Sequence, residues 1–296
     1  MVDAKNIMRG LVRSQQISSC LLTEDDFKQL YSLLSEKAVE AAELAIEEFK
    51  EKSHTLPQQD RDYFQARIGD ATKLVAYLTG ARGERVIYTE KSAISSESLP
   101  DDVRTLGIGS SYAYKVAFNT EPSNKFEVKL EFSKPKLLDF SNLWSGVTEG
   151  MNYVQVEGNN DTWVNGVYQS IISFFEKRAK RRSWLHAKHT YDLLLWLAGL
   201  PALFWIVFRI DRGMSVAYHS VSSVLIVALY LYVFLGGLIL IRLLYNYARW
   251  VFPRYEYRGP RGNKPDKHRK IFWAILLGTC SCLLFDVGRY LVKQVL

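Results

Sequence analysis

Apolar positions recur along this chain with three different spacings, and each spacing implies a different kind of segment. From Thr23 the period is helical: Phe27, Leu30, Leu34, Ala38, Ala41, Ala45 and Phe49 line one face, while Glu40, Glu43, Glu47 and Glu48 line the other. A helix is predicted from Thr23 to about Lys52, with Thr23 as its cap and Glu24, Asp25 and Asp26 in the first turn, where acidic residues favour the helix start. A second stripe of Phe64, Ile68, Ala71, Val75 and Leu78 predicts a helix from about Gln58 to Leu78, closed by Gly80 and Gly83. The two read as an antiparallel helical hairpin.

The period then shortens to two. Val86–Tyr88 reads as a short strand, Tyr112–Phe118 as a second, and Lys125–Phe132 as a third that alternates through Phe126, Val128, Leu130 and Phe132. The segment NTEPSN between the last two has turn composition, so a β-hairpin is predicted. Tyr153–Glu157 is a fourth strand, and Gly158, Asn159 and Asn160 turn it into a helix from Asp161. That helix gathers Trp163, Val164, Val167, Tyr168, Ile171, Ile172 and Phe175 on its apolar face.

Beyond Thr190 the periodicity gives way to continuous apolar runs, near 190–210, 216–244 and 271–292. About twenty helical residues rise roughly 30 Å, the thickness of a bilayer's hydrocarbon core. Gly199 and Pro201 in the first run predict a kink of the kind membrane helices tolerate. The second run is longer than a single crossing needs, so it is predicted to tilt or to continue past Arg242. The fold class is therefore α+β for the head (helical hairpin, small antiparallel-containing sheet, linking helix), followed by an α-helical membrane domain of about three spans. The implied organisation is an N-terminal arm at 1–22, the α+β domain at 23–176, a basic juxtamembrane segment at 177–189 and the transmembrane domain at 190–296.

Charge sharpens this division. The formal net charge of +7 is the sum of two opposed halves. Up to Glu176 there are 19 Lys+Arg against 26 Asp+Glu; beyond it there are 19 against 5. The positive excess flanks the apolar runs and does not form a basic stripe on the head, which argues against nucleic-acid binding. Lys177, Arg178, Lys180, Arg181, Arg182 and Lys188 precede the first run. Arg249, Arg254, Arg258, Arg261, Lys264, Lys267, Arg269 and Lys270 lie between the second and third. Positive flanks are retained in the cytoplasm, so the N-terminal domain is predicted inside and the C-terminus outside, in a plasma or inner membrane with anionic headgroups. Trp184, Trp250, Tyr255 and Trp273 are the predicted interfacial aromatics. The opening residues, with Arg9 and Arg13, lack the apolar core of a signal peptide.

Candidate chemistry is sparse. Cys20, Cys280 and Cys282 have no disulfide-framework spacing and read as reduced thiols. His186, His189 and Asp192, at spacings of three, are weak candidates for a metal at the membrane surface. Gly107, Gly109, Ser110 and Ser111 form a GIGSS turn without the lysine of a phosphate loop, and read as a flexible loop. Asn160, Asp161 and Thr162 spell a glycosylation sequon whose better reading is a helix cap. Ala274, Gly278 and Cys282 place small residues every fourth position, a helix-packing pattern, and Asp286 with Arg289 forms a charge pair late in the third run. No catalytic constellation or cofactor motif stands out. The expectation is a non-enzymatic multi-pass membrane protein whose head binds an unidentified cytoplasmic protein or small ligand and whose spans anchor it or assemble it as a homo-oligomer. The alternatives are a sensor-effector that oligomerises and permeabilises the membrane, and a membrane-tethered enzyme.

Overall fold

The computed structural model describes residues 10–53, 57–95, 97–137, 151–179, 181–214, 222–259 and 265–295. The chain divides into two compact units. The first is the mixed α+β unit. In chain order it holds β1 (Leu11–Gln16), β2 (Cys20–Thr23), α1 (Glu24–Ser53), α2 (Gln58–Ala71), β3 (Val75–Gly80) and β4 (Arg85–Tyr88). It continues with β5 (Val103–Gly109), α3 (Ser111–Phe118), β6 (Lys125–Glu131), β7 (Tyr153–Gly158) and α4 (Asp161–Glu176). The second holds a π-helical turn, Leu195–Gly199, between α5 (Thr190–Leu194) and α6 (Leu200–Met214), then α7 (Ser223–Val251). After α7 the chain contributes β8 (Tyr255–Arg258) to the first unit, and α8 (Pro265–Val295) belongs again to the second.

Six strands form an antiparallel sheet in the order β1-β7-β6-β5-β3-β4. Alternation directs Phe126, Val128 and Leu130 of β6, with Val154 and Val156 of β7, into one core. There they meet Phe27, Leu30 and Leu34 of α1 and Val164, Val167 and Ile171 of α4. Asn160 accepts a hydrogen bond from the Trp163 N–H at 3.0 Å and caps α4, the role the sequon residues were expected to fill. At α1, the Thr23 hydroxyl accepts from the Asp26 N–H at 3.2 Å while Asp26 accepts from the Thr23 N–H at 2.9 Å. This reciprocal box satisfies donors that a helix start leaves open.

Several local expectations are corrected. The second helix ends at Ala71, and Val75 and Leu78 lie in β3: their spacing fits a helix, but Ala76, Leu78 and Gly80 alternate into the core opposite β5. Tyr112–Phe118 is helical, not a strand. α3 packs on α2 through Phe118, whose ring stacks on Phe64 at 5.1 Å, and ends at Asn119 in the left-handed region (φ 55°). The NTEPSN segment thus leads from a helix into β6, and the antiparallel partners of β6 are β5 and β7. Gly107 and Gly109 are strand residues there, and Ser110 is buried with its hydroxyl 3.1 Å from the Phe126 N–H, which it accepts. The N-terminal arm likewise supplies strands: β1 closes one edge of the sheet on β7, and β2 pairs with β8.

In the second unit, α5 through α6 (Thr190–Gly213) and α7 are long and apolar enough to cross a membrane. Only 11% and 0% of their most apolar 18-residue windows are buried within the chain, so they are not core helices of this fold. The π turn at Leu195–Gly199 stands just ahead of Pro201, which has no N–H to give to the helical ladder.

Candidate functional site

The residues that stand out in the second unit cluster where α7 meets α8. Its buried part is built on the last turns of α7. Tyr245 donates to the Leu185 carbonyl at 2.7 Å, and its ring meets that of Tyr191 at 5.1 Å. Arg242 lies 4.5 Å over the Tyr191 ring and Arg249 5.7 Å over Tyr245. Both arginines are more than nine-tenths buried as residues, and a planar, weakly hydrated cation stacks on an aromatic face at lower desolvation cost than an ammonium would. His186 is buried beside them with Nε2 2.8 Å from the Phe252 carbonyl; since that oxygen can only accept, Nε2 carries the proton.

The outer part faces α8. Phe252 meets Phe272 at 5.3 Å, and Arg269 Nε donates to the Val251 carbonyl at 3.2 Å, holding the two helix ends together. The Tyr247 and Trp250 rings stack at 6.2 Å, and Trp250 meets His268 edge-on at 5.0 Å. Lys134 Nζ lies 5.5 Å above the Trp250 ring. Cations interleaved with Trp and Tyr at the end of an apolar helix are the side-chain chemistry of a membrane–water interface.

The expected metal ligands do not share one helix. His186 ends a 3₁₀ turn (Arg181–His186), whereas His189 precedes the first turn of α5 and lies 3.9 Å from Asp192. Among the described residues, no three His, Cys, Asp or Glu side chains are grouped to hold a metal ion. In the basic segment, Lys177 and Lys188 are exposed, but Arg178 turns to Asp26 within the first unit. Lys180 and the side chains of Arg181 and Arg182 lie outside the described residues. Ala274, Gly278 and Cys282 are exposed on α8; a Cβ added at Gly278 would meet nothing within 4 Å. Arg289 is exposed, while the side chain of Asp286 lies outside the described residues. The close glycine contacts are elsewhere: a Cβ at Gly237 of α7 would overlap Leu203 of α6, and one at Gly199 would press on Ile241 at 3.1 Å.

Sequence reasoning missed β8. Tyr255, expected at the membrane surface, is buried in the core of the first unit and donates to the Ile17 carbonyl at 2.6 Å. Burial, then the nearby Glu24, pushes the Tyr257 phenol well above its ordinary range. Cys20, Leu21, Leu22 and Thr23 pair in parallel register with Tyr255, Glu256, Tyr257 and Arg258. The available signal was the alternation YEYR, with aromatics two apart, isolated among charges.

The first unit also carries a groove of about 560 Å³ along α1, lined among others by Tyr31, Ser35, Glu36, Thr72, Lys73 and Lys91. Its lining combines hydroxyls and charges of both signs with the apolar Ala38, Val39 and Leu74. No family model matches the chain, and no curated protein or solved structure matches it at a significant level.

Proposed function

We propose that this chain is a non-enzymatic multi-pass membrane protein whose cytoplasmic α+β head binds a protein partner or a polar small ligand and is anchored by three crossings, α5–α6, α7 and α8. The observation that carries the reading is β8. The chain leaves the α+β unit after α4, runs through two exposed apolar helices, and returns three residues after α7 to complete that unit's core. A pair of crossings that begins and ends in one folded unit must go out and come back. The basic segments before α5 and after α7 support a cytoplasmic location for that unit. The apolar run of α8, from Ile271, then supplies the third crossing and an external C-terminus.

The test is reporter mapping in intact cells. Fusions at Gly10 and in the segment after Arg258 are expected to report the cytoplasm, and fusions after Met214 and at the C-terminus the outside. A cytoplasmic report from the segment after Met214 would overturn the hairpin. Turnover of a substrate by the purified chain, abolished by one side-chain change, would overturn the non-enzymatic reading.

The same strand favours a second reading, a sensor-effector. Because only Phe252, Pro253 and Arg254 separate α7 from the Tyr255 and Tyr257 anchors, a rearrangement of the head acts on α7 through a short tether. Dye influx on induced expression, lost when the β2–β8 pairing is disrupted, would place this reading first; no influx with the mapped topology intact leaves the anchored binding protein.

A further inference from the structure

We infer that the basic and aromatic patch made by Lys134, Trp250 and His268, with the flanking Lys267 and Lys270 at the start of α8, is a binding site for the headgroup of an acidic phospholipid. The inference deepens the membrane reading above and rests on it, but it concerns a site different from the basic segment at 177–188, in which Arg178 is already paired with Asp26.

Three observations converge. First, the side chains are held in a framework. Lys134 Nζ stands 5.5 Å over the Trp250 ring, Trp250 contacts His268, and the His268 Nδ1 lies 3.2 Å from the Tyr247 hydroxyl. A surface of solvated lysines would show no such framework. Second, positive charge is in excess: the first turns of α8 carry Lys267, Arg269 and Lys270 against the single Asp266. Lys267, His268, Arg269 and Lys270 are consecutive, with Lys267 and Lys270 exposed, and Lys134 is brought to Trp250 from more than a hundred residues earlier. Like charges gathered in two helical turns repel, and an anion between them relieves that repulsion. Third, these cations directly precede the apolar run from Ile271, and the exposed Trp273 follows one turn on. A ligand here needs a phosphate beside an acyl chain, which is a lipid and not a free anion. Arg269, committed to the Val251 carbonyl and stacked over Phe252 at 5.9 Å, positions the helix ends.

The test uses the full chain purified in neutral detergent, with its unfolding temperature followed as short-chain phosphatidylglycerol, short-chain phosphatidylcholine or inorganic phosphate is added. A saturable rise is expected with phosphatidylglycerol alone. Lys134→Gln/Lys270→Gln is expected to need about 25-fold more phosphatidylglycerol for the same rise above its own lipid-free unfolding temperature, about fivefold for each cation near an anionic surface. The same charge loss in the head, Lys50→Gln/Arg82→Gln, is expected to leave the response unchanged. An equal response to phosphatidylcholine, an equal response to phosphate, or a double variant indistinguishable from wild type would each overturn the site. Alkaline extraction of native membranes separates this from the reading it rests on: release of the chain refutes the membrane assignment, whereas retention with no phosphatidylglycerol response refutes only the site.

Discussion

Arg178 Nε lies 2.6 Å from Asp26 Oδ1, joining the end of α4 to the capping box at the start of α1 across 152 residues of sequence. Its second nitrogen donates to Gln29 at 2.7 Å, and its guanidinium lies 3.7 Å over the Phe174 ring. The carboxylate is thereby part of a helix cap and of an ion pair at once. Replacing Arg178 by Met keeps the aliphatic stem over Phe174 and removes the charge. The expected loss is about 2 kcal/mol, the scale of hydrogen bonds to charged groups, read by chemical denaturation of the full chain.

The same pair sets a pH dependence. Burial alone would raise the Asp26 pKa, but hydrogen bonds from the Thr23 hydroxyl and N–H, then Arg178, outweigh it and hold it below the ordinary 3.8. A depressed folded value means that the stabilisation is complete above the unfolded pKa and is lost as pH falls through the folded one. The stability difference between wild type and Asp26→Asn should therefore be constant near neutrality and shrink only below about pH 4. A difference that persists undiminished into strong acid would show that the charge is not what stabilises this corner.

Much of the helical architecture was legible in the sequence because its signals are local. Thr23 with Asp26, and Asn160 with Trp163, are caps made within one turn, and the apolar runs at 190–210 and 216–244 need no partner to be recognised. The errors fall where the partner is distant. Tyr112, Tyr114, Val116 and Phe118 alternate like a strand, but Phe64 of α2 and the buried Ser110 decide that they coil. Val75 and Leu78 continue a helical stripe until β5 offers them a sheet. β8 is the extreme case, since YEYR acquires meaning only from Cys20–Thr23, more than two hundred residues earlier. The candidate site divides the same way. Trp250 was singled out in the sequence by its type and its place after an apolar run, whereas the Lys134 contact was invisible because it joins segments remote in sequence.

Gly107 illustrates a glycine kept for close approach. It faces Tyr77 across β3–β5, and a Cβ there would overlap the Tyr77 ring, which Arg85 covers at 4.1 Å on its other side. Gly107→Ala is expected to cost about 1–3 kcal/mol by overpacking. Tyr77→Ser should suppress most of that penalty in a double-mutant cycle, because the three atoms nearest the added Cβ all belong to this side chain. Additive losses would place the strain in the strand backbone instead.

Tyr255 offers a narrow test of the returning strand. Tyr255→Phe removes only the hydroxyl that donates to the buried Ile17 carbonyl, for an expected loss of about 1–2 kcal/mol. A cross-strand pair tests the register itself. Leu21→Cys/Glu256→Cys should form a disulfide on mild oxidation, since these residues are direct partners, whereas Leu21→Cys/Arg258→Cys, two positions out of register, should not. Equal crosslinking of both pairs would mean that β8 slides on β2 or does not pair with it.

The two glycines of the apolar helices should behave oppositely. Gly237 lies where α6 and α7 pack, with Leu203 against it and 4% exposed, so Gly237→Leu must push the helices apart. Its expected cost is about 1–3 kcal/mol, seen as a lower unfolding temperature in detergent whatever the protein concentration. Gly278 of α8 meets nothing within 4 Å in the single chain, so Gly278→Leu should leave the unfolding temperature of the monomer unchanged. If Ala274, Gly278 and Cys282 mediate contact between copies, the same variant must abolish crosslinked dimers in the membrane, because small-residue stripes act by letting backbones approach. Dimers that survive Gly278→Leu would remove the stripe from the mechanism, and a monomer destabilised by it would mean that α8 packs within its own chain on the face the sequence assigned to a neighbour.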